Sequence, residues 1–527
     1  MLDKRGIAQI TAISIVLIIV VAAISAGVTY LVVKPPPKAG ALEASNLSIP
    51  RINAGQDAVI TLDVKNTGES ENTWSLDLEV EGEVVATKSV TLGPGESQTI
   101  QLTAPDVMVD SRVEIYGLTG TIDVTPIFKI AVVSDIGGRG DLSFNDMAFK
   151  GGEDAERAFG VEMKELISNV EADYVPNLRT AASDPDVKLI VGVGFLLTDA
   201  LCEVAADFPD KNFVGIDTYT KWVTPQPNLM DVVYEEHKGS AMVGALGGLL
   251  AAYYSTGTEV GKNKFPYIGG VFGIEIPVLW KFEIGYKWGC DWAMSWIENN
   301  KTDMKRGIYN TARDERVLWT YTGTFSDITK GYLAAVPMYE KGAVTVYNIA
   351  GPLGLGINSA VKDIATRDGL TRGPPFWTGV DADQDWINPS FVIASMMKRV
   401  DYGVYYTTEL VMDNKFRDAV ENYGNQITLG VGTTVLGEPM EGISVSTLTD
   451  LDEFIAMGVR AEEMTGEPVL PGPPEWIKEK ATELRNAQPA WIWDAVAELE
   501  SKIRTGTEVV PKAETLDVVN YWRAILG

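Results

Sequence analysis

Histidine and cysteine are nearly missing from this chain: His237 stands alone, and Cys202 and Cys290 are the only thiols in 527 residues. A zinc site of the usual Cys/His type needs more such side chains, so no metal or cofactor is expected. Neither a Ser-His nor a Cys-His catalytic pair is credible on one histidine. His237 reads as a capping or packing residue. Whether Cys202 and Cys290 pair or stay as buried free thiols is open at this level. Basic residues are also short, 44 against 72 acidic ones, for a net charge of −28. Nucleic acid is therefore not an expected partner, because binding phosphates takes a basic face. Solubility or a salty habitat accounts for such an acidic surface.

Charge of either sign is absent from Ile7 to Val33. That run is long enough to cross a bilayer core about 30 Å thick. Lys4 and Arg5 precede it, so the bulk of the chain is expected outside the cell membrane on a single N-terminal anchor. A cleaved secretory signal normally has a shorter apolar core and a small-x-small site, which is not evident here. No cysteine lies near the end of the run, which argues against a bacterial lipoprotein anchor. The stretch Lys4-Arg-Gly6-Ile7-Ala-Gln9 resembles the processing site of type IV pilin-like (class III) signal peptides. That resemblance implies cleavage between Gly6 and Ile7, with the helix retained and available for self-assembly. A plain uncleaved anchor is the alternative. Residues 1–34 are thus read as signal or transmembrane anchor, and 35–43 as a linker stiffened by Pro35, Pro36 and Pro37.

From residue 44 to 126 the pattern is that of half-buried strands. Trp74, Leu76, Leu78 and Val80 alternate with polar residues, as do Ile60, Leu62 and Val64. Asn66-Thr-Gly68 and Gly93-Pro-Gly95 supply turns. A small β-sandwich is predicted. Leu92-Gly-Pro-Gly-Glu-Ser97 before an alternating strand resembles the immunoglobulin-like CARDB modules of surface proteins. A spacer role is expected, with ligand binding or adhesion as the alternative.

From residue 127 to 527 strands alternate with helices. Strands are expected at Lys188–Val193, Asn212–Ile216, Asp231–Tyr234, Pro266–Phe272, Arg316–Tyr321, Ala343–Ile349 and Phe376–Val380, with helices such as Ser240–Tyr254 and Lys281–Glu298 between them. This alternation predicts an α/β fold with parallel sheets flanked by helices. The length exceeds one comfortable sheet, so two lobes with a ligand cleft between them are expected. The stretch around residues 128–151 stands out. The apolar run Ile130–Val133 reads as a buried strand, and Gly137, Gly138 and Gly140 as a loop. Ser143, Asn145 or Asp146 would cap the helix that follows. Gly-Gly-x-Gly lacks the spacing of the dinucleotide fingerprint, and no phosphate-gripping lysine lies in the loop. An ordinary strand–helix loop is the plain alternative.

Asp135-Ile-Gly-Gly-Arg-Gly-Asp141-Leu-Ser143-Phe144-Asn145 resembles the signature of the basic membrane protein (Bmp, PnrA-like) family. Further fragments follow in family order: Val191-Gly-Val-Gly-Phe195, Phe213-Val-Gly-Ile-Asp217-Thr218, Glu235-Glu-His-Lys-Gly239, Thr322-Gly-Thr-Phe325-Ser-Asp327, Gly379-Val-Asp381-Ala-Asp383-Gln384 and Ser395-Met-Met-Lys398. The resemblance implies a substrate-binding protein of an ABC transporter, with the two-lobed type I periplasmic-binding fold, that delivers a purine-nucleoside-like solute to permease subunits. It also implies a site. Phe144 and Phe325 would sandwich the base, and Asp135 and Asn145 would hydrogen-bond its edge. Asp217 would end a strand at the ligand, and Gly351 would allow a close backbone approach. Asp381 and Lys398 would take the ribose hydroxyls. Such a solute is neutral, with a flat π face and vicinal hydroxyls, which suits stacking and carboxylate acceptors.

The chain departs from the family pattern at Gly351-Pro-Leu-Gly-Leu-Gly356, where Pro352 stiffens a normally more polar loop, and over 440–500, which is longer and carries Trp476, Trp491 and Trp493. Two other functions compete. Asp381-Ala-Asp383-Gln384-Asp385 superficially resembles the acidic motif of nucleoside hydrolases, though it lies late in the chain. A structural, filament-forming surface protein is the other.

Overall fold

The computed structural model describes residues 41–255, 265–435 and 437–527. The anchor read over 1–34 and the proline run lie outside the described residues. Among the described residues no helix is long and apolar enough to cross a membrane.

Alternating sequence becomes sheet in the first part. Strands Leu42–Ser48, Gln56–Asn66 and Ser97–Val107 form one antiparallel sheet. Glu83–Leu92, Asn72–Val80, Ser111–Ile115 and Leu118–Ile122 form a second. Ile60, Leu62 and Val64 of one sheet and Leu76 and Leu78 of the other enter one apolar core, while Trp74 and Val80 lie half-buried at its margin. This core is separate from those of the α/β part, as expected where one face of each strand is wet.

Two six-stranded sheets follow. The first is parallel throughout and runs Glu162–Leu166, Lys129–Val133, Val187–Val193, Asn212–Ile216, Leu229–Tyr234, Gln426–Leu429. The second runs Val317–Tyr321, Tyr267–Phe272, Ala343–Ile349, Phe376–Asp381, Val392–Lys398, Ile443–Val445, with only the last strand antiparallel. In both, the second strand in sequence sits outside the first and the third lies on its other side. The winding therefore reverses beside the first strand, and ligands bind at such switch points, beyond the carboxyl ends of the strands. Four strands of these two sheets escaped the sequence reading: Glu162–Leu166, Val392–Lys398, Gln426–Leu429 and Ile443–Val445.

The chain passes between the sheets after Tyr234, after Lys398 and after Leu429. The first passage runs through the helix Glu236–Ser255, which packs on Pro277–Asn300 with backbones almost touching. A Cβ added at Gly244 would lie 2.2 Å from the Tyr286 carbonyl oxygen, and one at Gly289 would lie 2.0 Å from that of Ala241. Any larger residue at either position forces the helices apart. His237 is buried in the first turn of this pair, where burial and then the neighbouring Lys281 push its imidazole down to about 3. It is neutral at pH 7 and serves packing. Cys202 and Cys290 are both buried and free.

Beyond residue 450 come the helices Leu451–Thr465, Pro474–Asn486, Ala490–Arg504 and Leu516–Leu526. Trp491 stacks on Trp296 with ring centroids 5.7 Å apart, and the Trp493 indole donates to the Arg485 carbonyl at 3.3 Å. Those two tryptophans belong to the packing, while Trp476 is 38% exposed.

Candidate functional site

The carboxyl ends of both sheets line one cleft. From the first lobe come Asp135, just past Lys129–Val133; Phe144 and Asn145, opening the helix Phe144–Phe159; and Asp217, directly after Asn212–Ile216. The second lobe brings Phe325, past Val317–Tyr321, and Gly351, past Ala343–Ile349. Asp381 and Lys398 are the last residues of their strands. The eight residues singled out in the sequence all line this one cleft. The space open to the centre of a water-sized sphere is about 70 Å³, several times the ~10–15 Å³ that one water needs.

The Asp135–Asp146 loop is held by its own side chains. Asp141, not Ser143, Asn145 or Asp146, caps the helix. Its carboxylate accepts from the backbone N–H groups of Ser143 at 2.9 Å, Asn145 at 2.9 Å and Asp146 at 3.1 Å. A carboxylate with two oxygens satisfies more of the orphan donors than one hydroxyl can. Ser143 is thereby freed for the other lobe: its Oγ donates to the Val380 carbonyl at 3.0 Å and to Asp381 Oδ2 at 3.2 Å. Asn145 Nδ2 donates to Asp135 Oδ1 at 2.9 Å and to Asp141 Oδ2 at 3.0 Å, and its Oδ1 accepts from the Asp135 N–H at 3.3 Å. The amide is therefore fully engaged within the protein. Asp135 Oδ1 also takes the Gly137 N–H at 2.8 Å. Oδ2 lies beside Gly194, where an added Cβ would come within 2.8 Å of it. Among the described residues no donor bonds that oxygen.

A buried charge network forms the floor. Lys398 bonds Asp217 and lies 3.0 Å from Glu236 Oε1. Lys281 lies 2.5 Å from Glu236 Oε2 and donates to the Tyr234 carbonyl at 2.9 Å. Burial opposes the charge on Lys398, but Asp217, Glu236 and Asp381 outweigh it and hold the ammonium firmly protonated. Its Nζ sits 5.0 Å from the Phe144 ring centroid, 5.1 Å from that of Tyr234 and 5.5 Å from that of Phe282. Burial would raise the Glu236 carboxyl, yet Lys281 and Lys398 bring it down to about 2. Asp381 is different: burial carries its carboxyl up to about 6 against the pull of Lys398.

Asp217 and Asp381 occupy matching places, each at the end of the fourth strand of its sheet in sequence order. Both hold left-handed backbone, with φ of 58° and 64°. Aspartate tolerates that region better than most residues, but such strain gathers where the surroundings impose it. In both, Oδ1 is buried and has no hydrogen-bond partner among the described residues. Buried polar atoms are normally paired, so two open acceptors in one cleft are suited to donors brought by a ligand.

Sequence reasoning missed Glu236, Asp141 and Phe282. Glu236 lay in a fragment read as a helix start; only the fold shows that this helix opens beside Lys398. Of the acidic run Asp381–Asp385, only Asp381 and not Asp383 or Asp385 lines the cleft. Among the described residues no three His, Cys, Asp or Glu side chains are grouped to hold a metal ion.

Comparison with known proteins bears on this arrangement. Residues 128–448 match the profile of the family described as ABC transporter substrate-binding protein PnrA-like (Bmp). An uncharacterized lipoprotein of Pyrococcus abyssi is 34% identical over 388 residues, covering 73% of this chain and 85% of its own. The ABC transporter nucleoside-binding protein BmpA of Lactococcus lactis is 30% identical over 302 residues, 55% of this chain and 76% of that protein. Among solved structures, an ABC transporter solute-binding protein from Aeropyrum pernix K1 superposes with a TM-score of 0.62 at 29% identity, covering 75% of this chain and 96% of that one. Fold, cleft and sequence thus converge, and the chain belongs to the Bmp (PnrA-like) family of ABC transporter substrate-binding proteins.

Proposed function

We propose that the cleft binds a purine nucleoside and that the protein delivers it to the permease subunits of an ABC transporter. The observation that carries this reading is the pair of open acceptors, Asp217 Oδ1 and Asp381 Oδ1, flanking Lys398 in a cleft that also holds Phe144 and Phe325. Two carboxylates around one ammonium suit a ribose, whose hydroxyls donate and whose oxygens accept. Phe144 and Phe325 supply faces for the base. Asp135 Oδ2 accepts from the base edge, and Gly351 lets the backbone come close. Asn145 acts in this reading by holding Asp135, since its amide is already engaged. A hydrolase reading is less well supported, because Asp385 is spent on Ser395, Ser446 and Arg485 rather than turned to the cleft.

Calorimetric titration with inosine, guanosine, adenosine and cytidine, with base release followed in parallel, tests this. The expected result is micromolar or tighter purine-nucleoside binding without turnover. Phe144→Ala should weaken binding about 10- to 100-fold, from the loss of about 1–3 kcal/mol of stacking. Turnover would favour the hydrolase. No binding to any nucleoside, or a silent Phe144→Ala, would sink the ligand assignment.

In the same reading residues 1–34 anchor the chain at the cell membrane and 44–126 form a CARDB-like spacer that lifts the binding part outward. Self-assembly through a pilin-like helix is compatible with this. Lys4-Arg-Gly6-Ile7 supports pilin-like processing. N-terminal sequencing of the native protein should then begin at Ile7, whereas a start near residue 35 would contradict it.

A further inference from the structure

The loop that carries Asp381 is tied down from a distance. Gln384 Oε1 accepts from the Val380 N–H at 3.0 Å, fixing the residue just before Asp381. Its Nε2 reaches the other lobe and donates to the Leu142 carbonyl at 3.0 Å, beside the Ser143 that bonds Asp381. Gln384 is held in turn, its N–H donating to Ser395 Oγ at 2.9 Å. Ser395 Oγ donates to Asp385 Oδ1 at 2.8 Å, and the Ser395 N–H donates to Ser446 Oγ at 2.8 Å. The relay ends on one guanidinium. Arg485 Nη2 donates to Asp385 Oδ2 at 2.5 Å and to Ser446 Oγ at 2.7 Å, and Nη1 donates to the Ser446 carbonyl at 2.8 Å. Gln384, Asp385, Ser395 and Ser446 are all at most 2% exposed. Trp493 covers the guanidinium, its ring 5.4 Å from Cζ.

Arg485 lies on the helix Pro474–Asn486, past the end of the family match at residue 448. We infer that Arg485 is a positioning residue for solute binding, through which the C-terminal helices hold the Asp381 loop in its ligand-accepting geometry. Asp381 needs such support, because its left-handed backbone persists only where neighbours impose it. Arginine suits the post, since a planar fork serves two oxygens and a carbonyl at once where an ammonium cannot keep the same geometry. The inference rests on Asp381 being a ligand contact.

Its test uses the full chain with Arg485→Gln, Arg485→Lys and, as reference, Asp381→Asn. Inosine affinity is measured well below each melting temperature, and amide exchange is followed over residues 378–386 without ligand. Arg485→Gln should weaken binding about tenfold or more and speed exchange at Val380 and Gln384 by a similar factor, while Arg485→Lys recovers part of both. Exchange at Val346, on the neighbouring strand, should not change. A merely structural arginine would lower the melting temperature yet leave affinity and the Val380 and Gln384 rates of the folded protein at wild-type values; that overturns the inference. If the wild type binds inosine, Asp381→Asn does not and Arg485→Gln does, only this inference fails. If the wild type binds no nucleoside, the ligand reading fails and the exchange rates alone decide. Should Arg485→Gln not fold, Ser446→Ala removes one hydroxyl of the relay and carries the same measurements.

Discussion

Replacing Asp381 by asparagine should abolish nucleoside binding and, at the same time, stabilise the empty protein. Asparagine matches the shape of aspartate and accepts left-handed backbone, so the φ of 64° is retained. What disappears is the charge. A charged hydrogen bond is worth about 1.5–3 kcal/mol, and the reading gives Asp381 both vicinal hydroxyls or one hydroxyl and the field of Lys398. A loss of 100-fold or more in affinity follows. The stability effect has the opposite sign. Burial lifts this carboxyl from 3.8 to about 6 in the folded state. The native chain therefore binds this proton more readily than the unfolded chain, and the group's contribution to stability falls as pH rises from about 4 to about 6. At pH 7 the ionised form is a net cost of about 1–3 kcal/mol. Asp381→Asn removes it, so the ligand-free melting temperature at pH 7 should rise by a few degrees, with little change at pH 4. Differential scanning calorimetry at both pH values, beside inosine titration, checks both halves. A variant that binds inosine normally removes Asp381 from the site.

Nucleoside 5′-monophosphates should bind at least 1,000-fold more weakly than the parent nucleosides. The cleft is lined by Asp135, Asp141, Asp217 and Asp381, and among the described residues Lys398 is its single lining cation. That cation is already engaged by Asp217 and Glu236. A phosphate ester brings about −1.5 to −2 charges. At about 5 Å and an effective dielectric near 20, each like pair repels by about 3 kcal/mol. Burial lifts Asp141 to about 8 and Asp217 to about 7, so at pH 7 Asp381, at about 6, carries the larger share of this repulsion. Desolvation of the phosphate adds to this, because among the described residues no arginine lines the cleft, and the first N–H groups of the helix Phe144–Phe159 are already taken by Asp141. Competition of inosine monophosphate against inosine measures the ratio. A ratio near one would mean that the solute's phosphate lies outside the cleft or that the acids are protonated there.

Much of this was legible in the chain, for identifiable reasons. Buried parallel strands read as apolar runs, so Asn212–Ile216 and Ala343–Ile349 were placed to the residue. Val392–Lys398 was not, because its last five residues, Ala-Ser-Met-Met-Lys, have the composition of a helix and take their conformation from the sheet around them. Ile443–Val445 has three residues and no periodicity to show. At the site, Asp135, Phe144 and Asn145 were legible from the apolar run Ile130–Val133 and the loop after it, because ligands sit beyond the carboxyl ends of such strands, whereas Asp217, Phe325, Gly351, Asp381 and Lys398 came from the family resemblance and not from local pattern. The helix cap was misassigned because local propensity ranks Ser143 and Asp141 alike, and only the cross-lobe bonds of Ser143 show that its hydroxyl is committed elsewhere. Glu236 and Arg485 depend on contacts over long sequence separations, which local patterning does not carry.

A crystal structure of the protein grown with guanosine or inosine tests the central claim most directly. The base is expected between Phe144 and Phe325, its edge on Asp135, and ribose hydroxyls on the open oxygens of Asp217 and Asp381 with Lys398 beside them. A nucleoside bound elsewhere, or a cleft that stays empty at millimolar nucleoside, would contradict it.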